Sequence, residues 1–178
     1  MHATRKALIT DALVVGGLAL GGFGPAARAS AAAPAPGGAC EAQQLWMVPE
    51  GASAGAGQVG VMYRFYNHSS STCTLYGYPG GLLLNDARQA LPTHVHWGPG
   101  YLSGNHPKRL VELQPGASAY FVIEWAHIPT TGQSCPTSRF LAITPPNTRT
   151  SLTIPATIEA CGGNLTASPV ESSPFWDF

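Results

Sequence analysis

One stretch of this chain matches the sequence around a catalytic serine. Residues 51–55 read Gly-Ala-Ser-Ala-Gly, which fits the G-x-S-x-G pattern. In hydrolases that pattern holds the serine on a sharp turn between a strand and a helix, with a histidine and an acid nearby. His127 with Glu124 or Asp86 could complete such a set by residue type alone. Because the motif leads into a strand-like segment and not into a helix, we predict no catalytic role for Ser53.

Two histidines are spaced in a way that would suit a metal ion. His94 and His96 are separated by one residue, so both imidazoles would project from the same face of a strand. Zinc sites need three or four converging ligands, which His106, His127 or a carboxylate would have to complete. Since the spacing supports only two ligands, we predict solvent-exposed histidines, no metal site and no other cofactor.

The same stretch, residues 92–107, is the longest irregular segment that the sequence predicts. It also contains two aromatic residues with a polar group, Trp97 and Tyr101. Rings that carry a polar group suit contacts with a glycan or a peptide when they lie on loops at one end of a scaffold. The alternative is that these rings cap the hydrophobic core. The candidate binding residues are His94, His96, Trp97, Tyr101 and His106.

The four cysteines, Cys40, Cys73, Cys135 and Cys161, form an even set without a close pair. Zinc sites and redox motifs usually contain cysteines two to four residues apart, so two disulfides are favoured. Four cysteines allow three pairings. We predict Cys40–Cys73 and Cys135–Cys161, because each bond closes the shorter loop between successive strands.

The N-terminal residues have the pattern of a signal peptide. Arg5 and Lys6 precede an apolar run over residues 12–23, and Ala-Arg-Ala at residues 27–29 is a cleavage sequence. Residues 31–33 offer a second cleavage site, and a retained N-terminal anchor is the alternative. We predict a signal peptide over residues 1–29, a secreted or cell-wall-associated protein, and no membrane span after cleavage.

Composition limits the remaining classes of protein. Charged residues make up 10% of the chain and the formal net charge is zero, against roughly 25% charged residues in typical soluble domains. Without a basic stripe, the chain has no electrostatic footprint for nucleic acid. We predict a low-complexity linker over residues 30–39, one domain over residues 40–170, and an aromatic tail over residues 171–178.

The domain shows the period of β-strands. Between residues 59 and 67, apolar side chains alternate with others, which is typical of a strand with one buried face. Residues 117–127 alternate in the same way, whereas residues 49–57 read as a loop of small residues. Eight or nine short strands separated by turns predict an antiparallel β-sandwich. The glycosylation sequences at Asn67 and Asn164 are interpreted as turn and strand chemistry.

Three separated motifs carry a family resemblance. They are N-x-S-S-x-x-C-T-L-x-G-Y-P-G at residues 67–80, V-x-L-x-P-G at residues 111–116 ahead of Trp125, and C-G-G at residues 161–163. In this order they resemble a family of secreted actinobacterial proteins classed as a domain of unknown function, over about residues 40–170. The resemblance implies an immunoglobulin-like sandwich in a secreted or cell-surface setting, and it implies no activity.

Three functions follow from these observations, in order of preference. The first is a secreted or cell-envelope domain without enzymatic activity that binds a protein or polysaccharide partner of the envelope. The alternative is a structural or adhesive spacer without a defined ligand. A small secreted hydrolase is the least favoured, because the serine motif lacks its structural context.

Overall fold

The computed structural model describes residues 37–176. These residues contain ten strands. Two short 3-10 turns, Ala42–Gln44 and Cys161–Gly163, accompany them, and these residues contain no α-helix. The strands are β1 (Leu45–Gly55), β2 (Gln58–Asn67), β3 (Cys73–Tyr76), β4 (Gly80–Leu84), β5 (His94–Trp97), β6 (Leu110–Leu113), β7 (Ser118–Ala126), β8 (Phe140–Thr144), β9 (Leu152–Pro155) and β10 (Asn164–Ala167). The predicted signal peptide lies outside the described residues.

The strands form three sheets. The larger sheet has the order β1-β2-β7-β10-β5, β3 pairs with β6, and the third sheet has the order β4-β8-β9. Paired strands run antiparallel except β5 and β10, which run parallel. The predicted all-β, antiparallel, immunoglobulin-like sandwich is confirmed, with one parallel pair added at the edge. The prediction missed β5 because a four-residue strand paired with a distant segment leaves no local period in the sequence.

The core lies between the larger sheet and the two smaller ones. On the larger sheet, Tyr63 and Phe65 flank Phe121, with ring centroids 5.5 and 4.7 Å from the Phe121 ring. Leu75 and Leu141 of the smaller sheets are fully buried in the same cluster. Aromatic rings at these separations pack more favourably than their buried area alone accounts for. The inward face predicted from the alternation of residues 59–67 is therefore confirmed.

The opposite face of the larger sheet is also buried, which the prediction of one buried face missed. Met62, Val122 and Glu124 on that face are each no more than 2% exposed. The Phe175 amide donates to the Met62 sulfur at 3.3 Å, and the Leu102 amide donates to the Glu124 carboxylate at 2.9 Å. The loop of residues 98–106 and the C-terminal segment thus cover this face, so it needs apolar or fully paired side chains.

The predicted loop at residues 49–57 is wrong in most of its length. Strand β1 continues to Gly55 and pairs with β2, with a register shift between Pro49 and Gly51. The turn consists of Ala56 and Gly57, whose φ angles are 48° and 78°. Two-residue turns with positive φ match the twist of a hairpin. Backbone pairing with β2 therefore overrides the weak strand preference of the small residues in this segment.

Two disulfides are present, with the predicted pairing. Cys40 bonds to Cys73 at the start of β3, and Cys135 bonds to Cys161 in the turn before β10. The described residues contain no free cysteine. Disulfides of this kind are typical of proteins that fold in oxidising compartments. No helix within residues 37–176 is long and apolar enough to cross a bilayer.

The segments on either side of the predicted domain are paired with it. Ala39, the last residue of the predicted linker, bridges Thr74 of β3. Glu171 exchanges two backbone hydrogen bonds of 2.8 Å with Tyr120 of β7, and Trp176 donates its indole N–H to the Leu102 carbonyl at 3.4 Å. The described part of the aromatic tail therefore packs on its own sandwich.

Candidate functional site: an aromatic groove

The structure separates the five candidate binding residues. His94 and His96 are exposed on β5, and His96 lies 3.4 Å from the Asn164 side chain across the parallel pair. Tyr101 is 68% exposed in the loop of residues 98–106. His106 lies 3.7 Å from the carboxylate of Glu171, under the C-terminal segment. Within residues 37–176, no three His, Cys, Asp or Glu side chains are arranged to hold a metal ion.

Of the five, Trp97 lines a concave site, which we call the aromatic groove. The groove has a volume of about 680 Å³, within the range of small-ligand sites in proteins. Its aromatic and polar side chains come from β3, the corner after β3, the end of β5, the segment before β6, and the loop between β8 and β9. They are Tyr76, Tyr78, Trp97, Lys108, Asn147 and Thr148.

Trp97 is held rigidly while most of its surface faces solvent. Its indole N–H donates to the Pro79 carbonyl at 3.1 Å. Its ring stacks on Tyr78 at a centroid distance of 6.3 Å and an interplanar angle of 9°. The side chain is nevertheless 63% exposed. An exposed ring that is already fixed in one orientation loses little conformational entropy when a ligand stacks on it.

The facing part of the groove is built around Tyr76, whose side chain is 46% exposed. The Lys108 ammonium lies 5.8 Å from the centre of the Tyr76 ring. The Asn147 side-chain amide donates to the Tyr76 carbonyl at 3.2 Å. Asn147 itself has a φ of 63°, a left-handed conformation that asparagine tolerates better than most residues. This contact holds the β8–β9 loop against β3.

The loop that follows Trp97 is anchored by a buried carboxylate. Glu124, 2% exposed, accepts hydrogen bonds from the Leu102 amide at 2.9 Å, the Ser103 amide at 2.7 Å and the Ser103 hydroxyl at 2.5 Å. A Cβ atom on Gly100 would lie 1.9 Å from that carboxylate, so only glycine fits there. Because the anchored loop begins directly after Trp97, Glu124 also limits the motion of that end of the groove.

Sequence inspection missed most of the groove. Tyr76, Lys108 and Asn147 carry no motif, and they meet only because β3, the segment before β6 and the β8–β9 loop converge. Tyr78 belongs to the G-Y-P-G corner of the family resemblance. That corner is the one local signal, because a glycine-proline turn beside aromatic residues places rings at a strand end.

The serine motif does not have the geometry of a nucleophile elbow. Ser53 lies within β1 and pairs with Gly60 of β2, whereas the elbow requires a turn between a strand and a helix. The carboxylate of Glu124, which by residue type could have served as the acid, already accepts three hydrogen bonds from the loop of residues 98–106.

Asn67 is 0% exposed, and its side-chain amide donates to the Ser71 and Leu113 carbonyls at 2.8 and 2.9 Å. Its interpretation as turn chemistry is confirmed.

The fold and the groove define a class: a disulfide-linked, immunoglobulin-like β-sandwich with an aromatic groove. The chain belongs to the family described as a domain of unknown function (DUF4232), whose model matches residues 40–171. The predicted membership of a family of unknown function is thereby confirmed. No significant match was found among curated proteins or among solved structures.

Proposed function

We propose that this protein is a secreted, non-enzymatic domain that binds a polysaccharide of the cell envelope in the aromatic groove. The observation that supports this most directly is the pair of exposed rings, Trp97 and Tyr76, in a concave site that also contains polar groups. The apolar C–H faces of sugar rings stack on such aromatic surfaces, while hydroxyl groups need nearby donors and acceptors. Aromatic side chains that are apolar on the face and polar at the edge meet both needs.

The polar groups of the groove are placed for sugar hydroxyls. Because the Asn147 amide N–H group is used by the Tyr76 carbonyl, its side-chain oxygen remains available as an acceptor. The Thr148 hydroxyl donates to the Pro145 carbonyl at 3.1 Å and can still accept, whereas the tyrosine hydroxyls can donate and accept. A few oriented polar groups among apolar surfaces are the usual means by which a binding site fixes a ligand's orientation.

The shape of the groove favours a chain of sugars over a folded protein. Stable protein–protein interfaces are usually broad surfaces that bury about 800 Å² on each partner, whereas a hollow of about 680 Å³ has the size typical of sites for small or segmented ligands. Export is supported by the leader-like N-terminal sequence and by the two disulfides. An exported chain meets envelope polysaccharide without needing a further signal.

The test uses two tryptophans that differ in location but not in exposure. The purified, oxidised protein is sedimented with insoluble envelope material, before and after the material is digested with protease. We expect Trp97→Ala to weaken retention at least about tenfold, as expected for a central aromatic contact. Trp46→Ala is the matched control, because Trp46 is 60% exposed but lies on β1, outside the groove. Thermal unfolding of both variants confirms that they are folded.

Three other outcomes of this experiment would contradict the proposal. Loss of retention after protease digestion would identify a protein partner. Equal retention of Trp97→Ala and the parent protein would show that binding does not take place in the groove. Absence of retention for the parent protein would favour the structural spacer.

A further inference from the structure

We infer that the polysaccharide in the aromatic groove is acidic, with a carboxylate or phosphate group that binds the ammonium of Lys108; this inference rests on the function proposed above. Among the described residues that line the groove, Lys108 is the one charged side chain, and no Asp or Glu accompanies it. The groove therefore has a positive potential without an internal counter-ion, which favours an anionic ligand.

The ammonium of Lys108 is free for a ligand in the described structure. No carboxylate of residues 37–176 forms an ion pair with it, whereas Arg64 and Arg139 each have an acidic partner, Glu50 and Asp86. The interaction that holds Lys108 is with the Tyr76 ring, at 5.8 Å, near the outer limit for an attraction between a cation and an aromatic face. An anion would therefore displace little when it binds there.

Lys108 places its positive charge close to Tyr76, one of the two exposed rings on which a sugar could stack. Because the ammonium lies over the Tyr76 ring, 5.8 Å from its centre, a sugar that binds between Tyr76 and Trp97 would have its ring substituents within reach of Nζ. Lysine presents a compact charge, whereas arginine presents a planar fork that matches one anion geometry. A single lysine thus accepts either a carboxylate or a phosphate, and the ligand chemistry shared by both is an anionic group attached to a sugar chain.

The experiment removes each kind of charge from the same polysaccharide. Soluble envelope polysaccharide is titrated into the oxidised protein directly, after chemical reduction of its carboxylates to alcohols, and after hydrofluoric acid cleavage of its phosphate esters. We expect one of the two treatments to weaken binding about twofold to fivefold at low salt, the range for a single exposed ion pair. The treatment that does so identifies the anion, and the difference should shrink at high salt.

A variant pair connects the effect with one side chain. Lys108→Met keeps an apolar side chain of similar length but removes the charge, and we expect it to bind the native and the treated polysaccharide equally. Arg109→Met is the matched control, because Arg109 is exposed and adjacent but does not line the groove. It should keep the preference for the native polysaccharide.

The outcomes separate this inference from the function on which it rests. Unchanged binding after both treatments, or a preference that persists in Lys108→Met, would overturn the acidic ligand while polysaccharide binding stands. Binding that is lost in Trp97→Ala but insensitive to charge would likewise exclude an acidic ligand and leave polysaccharide binding in place. Failure of the parent protein to bind any envelope polysaccharide would overturn both.

Discussion

Removing the carboxylate of Glu124 should destabilise the domain more than removing the carboxylate of an exposed acidic residue. The side chain is 2% exposed and accepts three hydrogen bonds from Leu102 and Ser103. Hydrogen bonds to a charged group contribute about 1.5–3 kcal/mol each. We use the lower value, because the loop can open and let water reach the unpaired donors. For three hydrogen bonds, Glu124→Ala should therefore lower the free energy of unfolding by about 4.5 kcal/mol.

A second variant gives a graded test of the same contacts. Glu124→Gln keeps one acceptor oxygen for Ser103, but its amide N–H₂ group would face the Leu102 N–H, so one donor loses its partner. We expect a loss of about 2 kcal/mol. Glu112→Ala is the control, because Glu112 is exposed on β6 and its replacement should change stability by less than about 0.5 kcal/mol.

Urea unfolding of the oxidised protein, followed by tryptophan fluorescence, measures these differences. Hydrogen exchange at the amides of Leu102 and Ser103 reports the loop directly, and it should accelerate in Glu124→Ala before the sheet itself exchanges. If Glu124→Ala unfolds at the same urea concentration as Glu112→Ala, the anchoring role of Glu124 is refuted. Unchanged exchange at both loop amides would refute it as well.

Two further predictions concern other buried polar groups. Asn67→Ala removes the amide that bonds the Ser71 and Leu113 carbonyls and should lower the free energy of unfolding by about 2–3 kcal/mol, whereas exposed Asn105→Ala should have little effect; equal thermal stability of the two variants would contradict this. Burial raises the pKa of the Tyr63 hydroxyl above its ordinary value, so above about pH 10 the unfolded state releases a proton that the folded state keeps, and stability falls by about 1.4 kcal/mol per pH unit. Tyr63→Phe should show a weaker decline in urea unfolding between pH 9 and 11, and parallel curves for the two proteins would contradict the assignment.

The aromatic groove shows why local sequence patterns found only one of its edges. Trp97 is a candidate from sequence because tryptophan in an irregular, histidine-rich segment stands out by residue type. The segment's strand, β5, pairs in parallel with β10, and such pairing depends on a partner far along the chain. Lys108 and Asn147 come from segments far apart in the sequence, and no local motif predicts that these segments meet in the groove.

The sequence by itself determined the sheet class and favoured the covalent framework that the structure has. Period-two alternation places Phe65 and its neighbours on one face, because successive side chains of a strand point to opposite sides. Among three possible pairings, the separations of the cysteines favour the one that closes the shorter loops, with Cys40–Cys73 as one pair. Alternation and cysteine spacing are both read along the chain, so neither requires knowledge of the fold.

Only the tertiary structure decided which outward-facing side chains are buried and which groups form a site. Glu124 occupies an outward position in β7, yet it is buried because the loop of residues 98–106 folds over that face and donates hydrogen bonds to it. Tyr76, Tyr78 and Trp97 become one surface because sheet pairing and turn geometry bring three strand ends together. The physical reason is that burial and proximity depend on which distant segments pack against each other, and that packing is settled only by the whole fold.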